Sequence, residues 1–161
     1  MRGFRGGARL LLIASLILGA IAGTAAPAAA GNRTEAQRVV AIAKAQVGAR
    51  YSFAASGPNR FDCSGFVTFV YRQADLLDRI GGSRRSVAGF YDWFNRRDRA
   101  DRSNPKPGDL IVWGRNKHMG IYIGGGMAVS ALVNPYGVKV HPVTGYLGMK
   151  VKAYLHVKLD R

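Results

Sequence analysis

The sequence predicts an α+β domain, with helices first and an antiparallel sheet packed against them. Two observations predict it. As far as about residue 94, apolar residues recur at helical spacing. From Pro107 onward they fall into short runs bounded by glycine, proline and asparagine. A third supports a single domain: the chain after residue 30 shows no internal repeat and has a length suited to one core.

The helical half opens on Thr34-Glu35-Ala36-Gln37, which fits a capping box. Ala36, Val39, Val40, Ala43 and Val47 then form one face, and Gly48 ends the segment. Arg50 to Arg60 reads as a loop or short strand. Phe66, Val67, Val70 and Ala74 set a second helix from Cys63 to about Leu77. Gly81-Gly82 breaks the chain. Ser86 to Phe94 predicts a third helix, with Val87, Phe90, Tyr91 and Phe94 on one face. Residues 98 to 107 are polar and read as a loop. Predicted strands follow at 109–113, 118–123, 127–132, 138–140 and 152–157, with Gly124-Gly125-Gly126 as a hairpin turn.

Residues 1–30 have the pattern of an export signal. Arg2, Arg5 and Arg9 precede an apolar run from Leu10 to Ala22, and Ala28-Ala29-Ala30 offers a small-residue cleavage site before Gly31. The run falls short of the ~20 residues that span a bilayer, so no transmembrane anchor is expected. The expected product is one secreted or wall-associated domain, 31–161, and a monomer. Of 24 Lys and Arg, three lie in the signal, leaving 21 against nine Asp and Glu, or +12. Such a surface attracts anionic polymers. An exported protein meets wall glycopeptide and wall-linked phosphate polymers first, so these are the expected partners and nucleic acid is not. The cluster Arg96, Arg97, Arg99, Arg102 and Lys106, mixed with Asp98 and Asp101, reads equally as a polymer patch or a solvated loop.

Cys63 is the only cysteine, so no internal disulfide is available and a lone thiol is a flag for reactivity. It falls where a loop enters a helix. Unpaired N–H groups and the helix dipole there are expected to lower its pKa. A cysteine nucleophile needs a base. His156 alternates with Leu155 and Val157 and reads as half-exposed structure. His141 precedes Pro142 at a strand end and reads as a loop residue. His118 opens a strand after a polar link, and is the expected base. Three histidines and one cysteine, widely spread, make no recognisable metal site, and the glycine run lacks the G-x-G-x-x-G spacing of a dinucleotide loop. No cofactor is expected.

Tyr51, Phe61-Asp62-Cys63-Ser64-Gly65-Phe66-Val67, Pro107-Gly108-Asp109-Leu110 and His118-Met119-Gly120-Ile121-Tyr122-Ile123-Gly124 together resemble the NlpC-type family of bacterial cell-wall cysteine endopeptidases. Order and spacing agree over roughly residues 36 to 157. Arg84 and Ser86 resemble, more weakly, an Arg-x-Ser segment of that family. The resemblance implies a papain-like fold and hydrolysis of peptidoglycan stem peptides or muropeptides, with the bond between γ-linked D-glutamate and the diamino acid as the usual target. It implies Cys63 as nucleophile, His118 as base and Tyr51 as an oxyanion partner. Asp62, Ser64, Arg84 and Ser86 match substrate-groove positions. From the residues alone, Tyr51 reads as a packed aromatic and Asp62 as a helix N-cap. The family usually carries a third polar residue, often His, one strand beyond the base; Ser130 stands there. Two other readings remain at this point: an amide hydrolase or acyltransferase of the same fold acting on another bond, and a non-catalytic wall-binding module.

Hairpin arithmetic leaves two registers for the orienting residue, and the resemblance favours the one with an even sum. A three-residue loop at 124–126 pairs Ile123 with Met127, so paired numbers sum to 250. Gly120 then faces Ser130, and Ser130 becomes a diagonal neighbour of His118 on the same face. Asn134 is the second candidate. A two-residue loop would make the sum odd and turn Ala131 and Val133 to that face instead.

Overall fold

The structure is a computed structural model and describes residues 33–161. The expected export segment lies outside the described residues. Helix α1 (Glu35–Ala45) begins with the predicted capping box: Thr34 Oγ1 accepts from the Gln37 amide, and the Gln37 side chain accepts from the Thr34 amide. Two-residue strands β1 (Arg50–Tyr51) and β2 (Arg60–Phe61) pair in parallel. Helix α2 (Cys63–Gln73) ends earlier than expected, because Asp75 takes a left-handed conformation and a 3₁₀ turn follows at Leu77–Ile80. Helix α3 (Val87–Asn95) is capped by Ser86.

The sheet contains β3 (Ala100–Asp101), β4 (Leu110–Trp113), β5 (His118–Gly124), β6 (Met127–Leu132), β7 (Gly137–Pro142) and β8 (Val151–Leu155). Their order is β3-β8-β4-β5-β6-β7, with every pair antiparallel. Strand β3 corrects the expectation of a loop over 98–107: Ala100 and Asp101 pair with β8 at the sheet edge, a stretch too short to show an apolar alternation. Strand β7 is longer than expected and includes His141, which is buried within it and is not a loop residue.

Side chains alternate across the sheet. Leu110, Val112, Met119, Ile121, Val129, Ala131 and Leu155 join the helices in the main core, with Phe66, Val70 and Tyr71 of α2 fully buried. Burying each large apolar side chain contributes about 1.5–3 kcal/mol. Ile111, Trp113, Ala128 and Val143 form a smaller cluster on the other face.

The β5–β6 hairpin keeps the expected register by another route. The loop has two residues, Gly125 and Gly126, and Gly124 pairs with Met127. A bulge between Tyr122 and Gly124 then restores the even sum, giving Tyr122 opposite Ala128 and Ile121 opposite Val129.

Pro107-Gly108-Asp109 is a structural knot. The fully buried Asp109 carboxylate accepts from the amides of Lys106 and Val157 and from Arg161, and meets His156. The buried Tyr71 hydroxyl donates to the Gly108 carbonyl. Among the described residues no helix is long and apolar enough to cross a membrane.

Candidate active site

Asp62 determines how α2 begins. Its Oδ1 accepts from the Gly65 amide at 2.7 Å and from the Ser64 hydroxyl at 3.0 Å. Its Oδ2 is paired with Arg84, which also donates to Ala54 O at 2.7 Å and Ser56 Oγ at 2.8 Å. Gly65 is required here, because a Cβ would lie 2.0 Å from the Ala55 carbonyl oxygen. The loop 54–56 is thereby closed over the start of α2, and Cys63 is fixed at its first position. Ser86 stands apart from these residues; it is exposed, and its hydroxyl accepts from the Gly89 amide as the cap of α3.

Cys63 is largely buried, and its thiol is pushed up from its ordinary pKa, first by burial and then by Asp62. The amides of Met119, Ser64 and Cys63 itself pull it down. The helix N-terminus thus acts in the expected direction, but burial and the neighbouring carboxylate outweigh it. The expectation of a lowered thiol pKa is corrected. Cys63 packs on the core cluster that contains Met119, the residue after His118 in β5. Tyr51 is near too: burial, then the charges of Cys63 and Asp62, raise its hydroxyl, so it remains a proton donor.

His118 is 9% exposed, and burial first, then His141, lowers its pKa to about 4. Its ring is therefore neutral at pH 7. Nε2 lies 2.8 Å from Ser130 Oγ. Gly120 permits this approach, since a Cβ there would meet the Ser130 Cβ at 2.7 Å. Asn134 is exposed in the β6–β7 turn, beyond the end of β6. A residue that the sequence suggested was a loop histidine completes the cluster: His141 Nε2 lies 2.7 Å from Ser130 Oγ, and its Nδ1 lies 2.9 Å from the Pro142 carbonyl oxygen. Its position is legible only once the β6–β7 register is known.

A groove of about 430 Å³ opens beside His118, lined by Leu132, Val133, Tyr136, Tyr146 and Met149 among others. Across the 114–117 link lies a recess of about 370 Å³, lined by Arg102, Arg115, Asn116, Lys150 and Lys152. Among the described residues no group of three His, Cys, Asp or Glu side chains is placed to hold a metal ion.

The model of the NlpC/P60 family matches residues 48–156. The chain belongs to the NlpC/P60 family. It is 32% identical over 111 residues to a probable endopeptidase p60 of Listeria monocytogenes, covering 66% of this chain and 21% of that protein. It is 34% identical over 116 residues to a probable endopeptidase of Mycobacterium tuberculosis, covering 71% and 27%. The chain thus spans about a fifth to a quarter of the length of these relatives. The crystal structure of the NlpC/p60 domain of the peptidoglycan hydrolase SagA superposes with a TM-score of 0.58 at 28% identity, covering 76% of this chain and 98% of that one. The α+β, papain-like architecture expected from the sequence is that of the family.

Proposed function

We propose that this NlpC/P60 domain is a cysteine endopeptidase acting on peptidoglycan stem peptides, cutting between γ-linked D-glutamate and the diamino acid. The observation that carries the reading is the placement of Cys63, first residue of α2, on the core that holds Met119, together with the buried, neutral His118 that precedes Met119 in β5 and is bonded to Ser130.

The raised thiol and lowered imidazole describe a resting pair that is uncharged. His118 then acts as a general base in the attack itself. The Cys63 thiol proton passes to His118 Nδ1 as sulfur adds to the scissile carbonyl carbon. Oxyanion charge is met by the Cys63 amide and the Tyr51 hydroxyl. The intermediate collapses, His118 returns the proton to the leaving amine, and a thioester remains. Water, deprotonated by His118, hydrolyses it and frees Cys63. Asp62, held by Arg84 and Ser64, shapes the groove wall next to the nucleophile. The cation-lined recess is the place where anionic wall polymers would attach. Residues 1–30 would direct export, with a mature N-terminus at Gly31 and a secreted or wall-associated product.

Digestion of purified peptidoglycan followed by mass spectrometry of the fragments tests the reading. Fragments with a free amine on the diamino acid are expected, and none with Cys63→Ala. Unchanged muropeptides, or products of another bond, would overturn it.

A further inference from the structure

We propose that His141 is a positioning residue of the active site, acting through the Ser130 hydroxyl to hold His118 in the tautomer that leaves Nδ1 free as the base. The proposal rests on the reading of His118 as base.

The hydrogens available in the cluster fix the tautomers. The Pro142 carbonyl oxygen can only accept, so the His141 Nδ1 facing it at 2.9 Å carries the proton. Burial also keeps His141 below its ordinary pKa, which leaves a neutral ring with one N–H. Its Nε2 is therefore bare and accepts. The group 2.7 Å from that nitrogen is Ser130 Oγ, whose single hydrogen must point to it. Having spent that hydrogen, Ser130 can only accept from His118 Nε2 at 2.8 Å. His118 Nε2 therefore carries the proton, and Nδ1 holds the basic lone pair.

A serine alone would not decide this. Its hydroxyl is both donor and acceptor, and by rotating it could donate to Nε2 and so favour the Nδ1–H form, which cannot take a proton from the thiol. His141 removes that freedom. When Nδ1 then accepts the thiol proton, Nε2–H continues to donate to Ser130, and no hydrogen bond in the chain has to reverse.

The fold supports the relay at each step. Ser130 stands opposite Lys139 in the β6–β7 register, and His141 is two residues further, a diagonal neighbour on the same face. The step from His118 to Ser130 through Gly120 is the same step one strand earlier. Ser130 is fully buried and His141 is 1% exposed. The Trp113 ring lies 5.5 Å from His118 and 5.7 Å from His141, anchored by Nε1–H donating to Val143 O at 2.8 Å. Tyr146 stacks on His141 at 5.1 Å, with 18° between the rings. The His141 ring is therefore held by Trp113 and Tyr146, and the His118 ring packs against Trp113.

The direct test is long-range ¹H–¹⁵N spectroscopy of the purified chain carrying ¹⁵N-histidine, at pH 7. His141 is expected as the Nδ1–H tautomer and His118 as the Nε2–H tautomer. His141 protonated on Nε2, or His118 protonated on Nδ1, overturns the relay. His141→Phe keeps a ring between Trp113 and Tyr146 but removes the acceptor. It is expected to mix the His118 tautomers and lower kcat about tenfold, with KM within twofold. His141→Gln, whose amide oxygen can accept from Ser130, should recover most of that loss. An unchanged kcat and His118 tautomer in His141→Phe would overturn the proposal. The spectra need no substrate, so the two readings fail separately. Absent cleavage with the expected tautomers overturns the endopeptidase reading alone, and cleavage with reversed tautomers overturns the relay alone.

Discussion

Two histidine networks in this chain make the same residue type do opposite work. His118 lies between an aromatic wall and a hydroxyl, and burial drives its pKa down to about 4. His156 lies at the outer end of β8, bonded at 2.9 Å to Asp109 and at 3.0 Å to Asp101. Burial pulls His156 down as well, but the two carboxylates outweigh it and its pKa is raised. The Ser103 amide, followed by His156, in turn lowers Asp101 to about 2. One network holds a histidine neutral, ready to take a proton. The other favours the charged form of its histidine, which ties β3 to the end of β8. The partners decide the role: hydroxyls and rings supply no charge, and carboxylates do.

The comparison breaks most visibly in activity. Cys63→Ala and His118→Ala should each lower peptidoglycan hydrolysis by at least about 10³-fold, and by similar amounts, because members of a catalytic unit are not additive. Far-UV circular dichroism should stay unchanged. His156→Leu should leave kcat within about twofold. Hydrolysis near the wild-type rate in Cys63→Ala would remove the thiol from the chemistry.

Ser130→Ala should cost about tenfold in kcat, or ~1.4 kcal/mol. Steady-state kinetics on a defined muropeptide reads it. If Ser130→Ala is silent, the site works as a dyad.

Opposite pH responses sharpen the contrast. With His118 near 4, kcat/KM should hold its plateau well below pH 6 and fall only near pH 4. An acidic limb near 6.5 would show that the ring is solvated, contrary to the burial found. His156 gives the other sign. Its folded pKa is raised above 6.5, so its contribution to stability is complete below pH 6.5 and is lost as pH rises through the folded value. His156→Leu should therefore lower Tm by about 3–5 °C at pH 5.5 and by clearly less at pH 9.

The caps of α1 and α2 and the Cys63 turn were legible in the sequence, because each depends on neighbours within a few residues; the even β5–β6 register was expected from a three-residue loop, and it arises instead from a two-residue loop and a bulge that the sequence did not reveal. Thr34 and Asp62 are small polar residues before apolar repeats, and both cap helices as read; Ser86, read as the first residue of the third helix and as a groove position, is its cap. His141 was not legible. Its place beside Ser130 depends on how the 133–136 turn registers β7 on β6, and a histidine before proline reads as a strand end. The sign of the Cys63 shift was hidden for a related reason. The dipole is a property of the helix start, while burial and the approach of Asp62 belong to the folded loop. The pairing of Arg84 with Asp62, 22 residues away in sequence, belongs to the same class.

The smallest expected effect lies outside both networks. Arg115→Glu with Lys150→Glu should weaken co-sedimentation with purified walls several-fold at low salt, with little effect at high salt, where exposed charges are screened. Binding that is indifferent to both salt and charge reversal would assign wall attachment to the groove.

In the proposed reaction Cys63 attacks a peptidoglycan peptide carbonyl while a neutral His118 takes its proton. The most direct measurement is acid-quenched single turnover with a defined muropeptide, followed by mass spectrometry of the peptide containing Cys63. The account predicts a thioester-linked acyl group on Cys63 that disappears as free product forms, and no adduct in Cys63→Ala. Turnover by Cys63→Ala, or an adduct on any other residue, would contradict it.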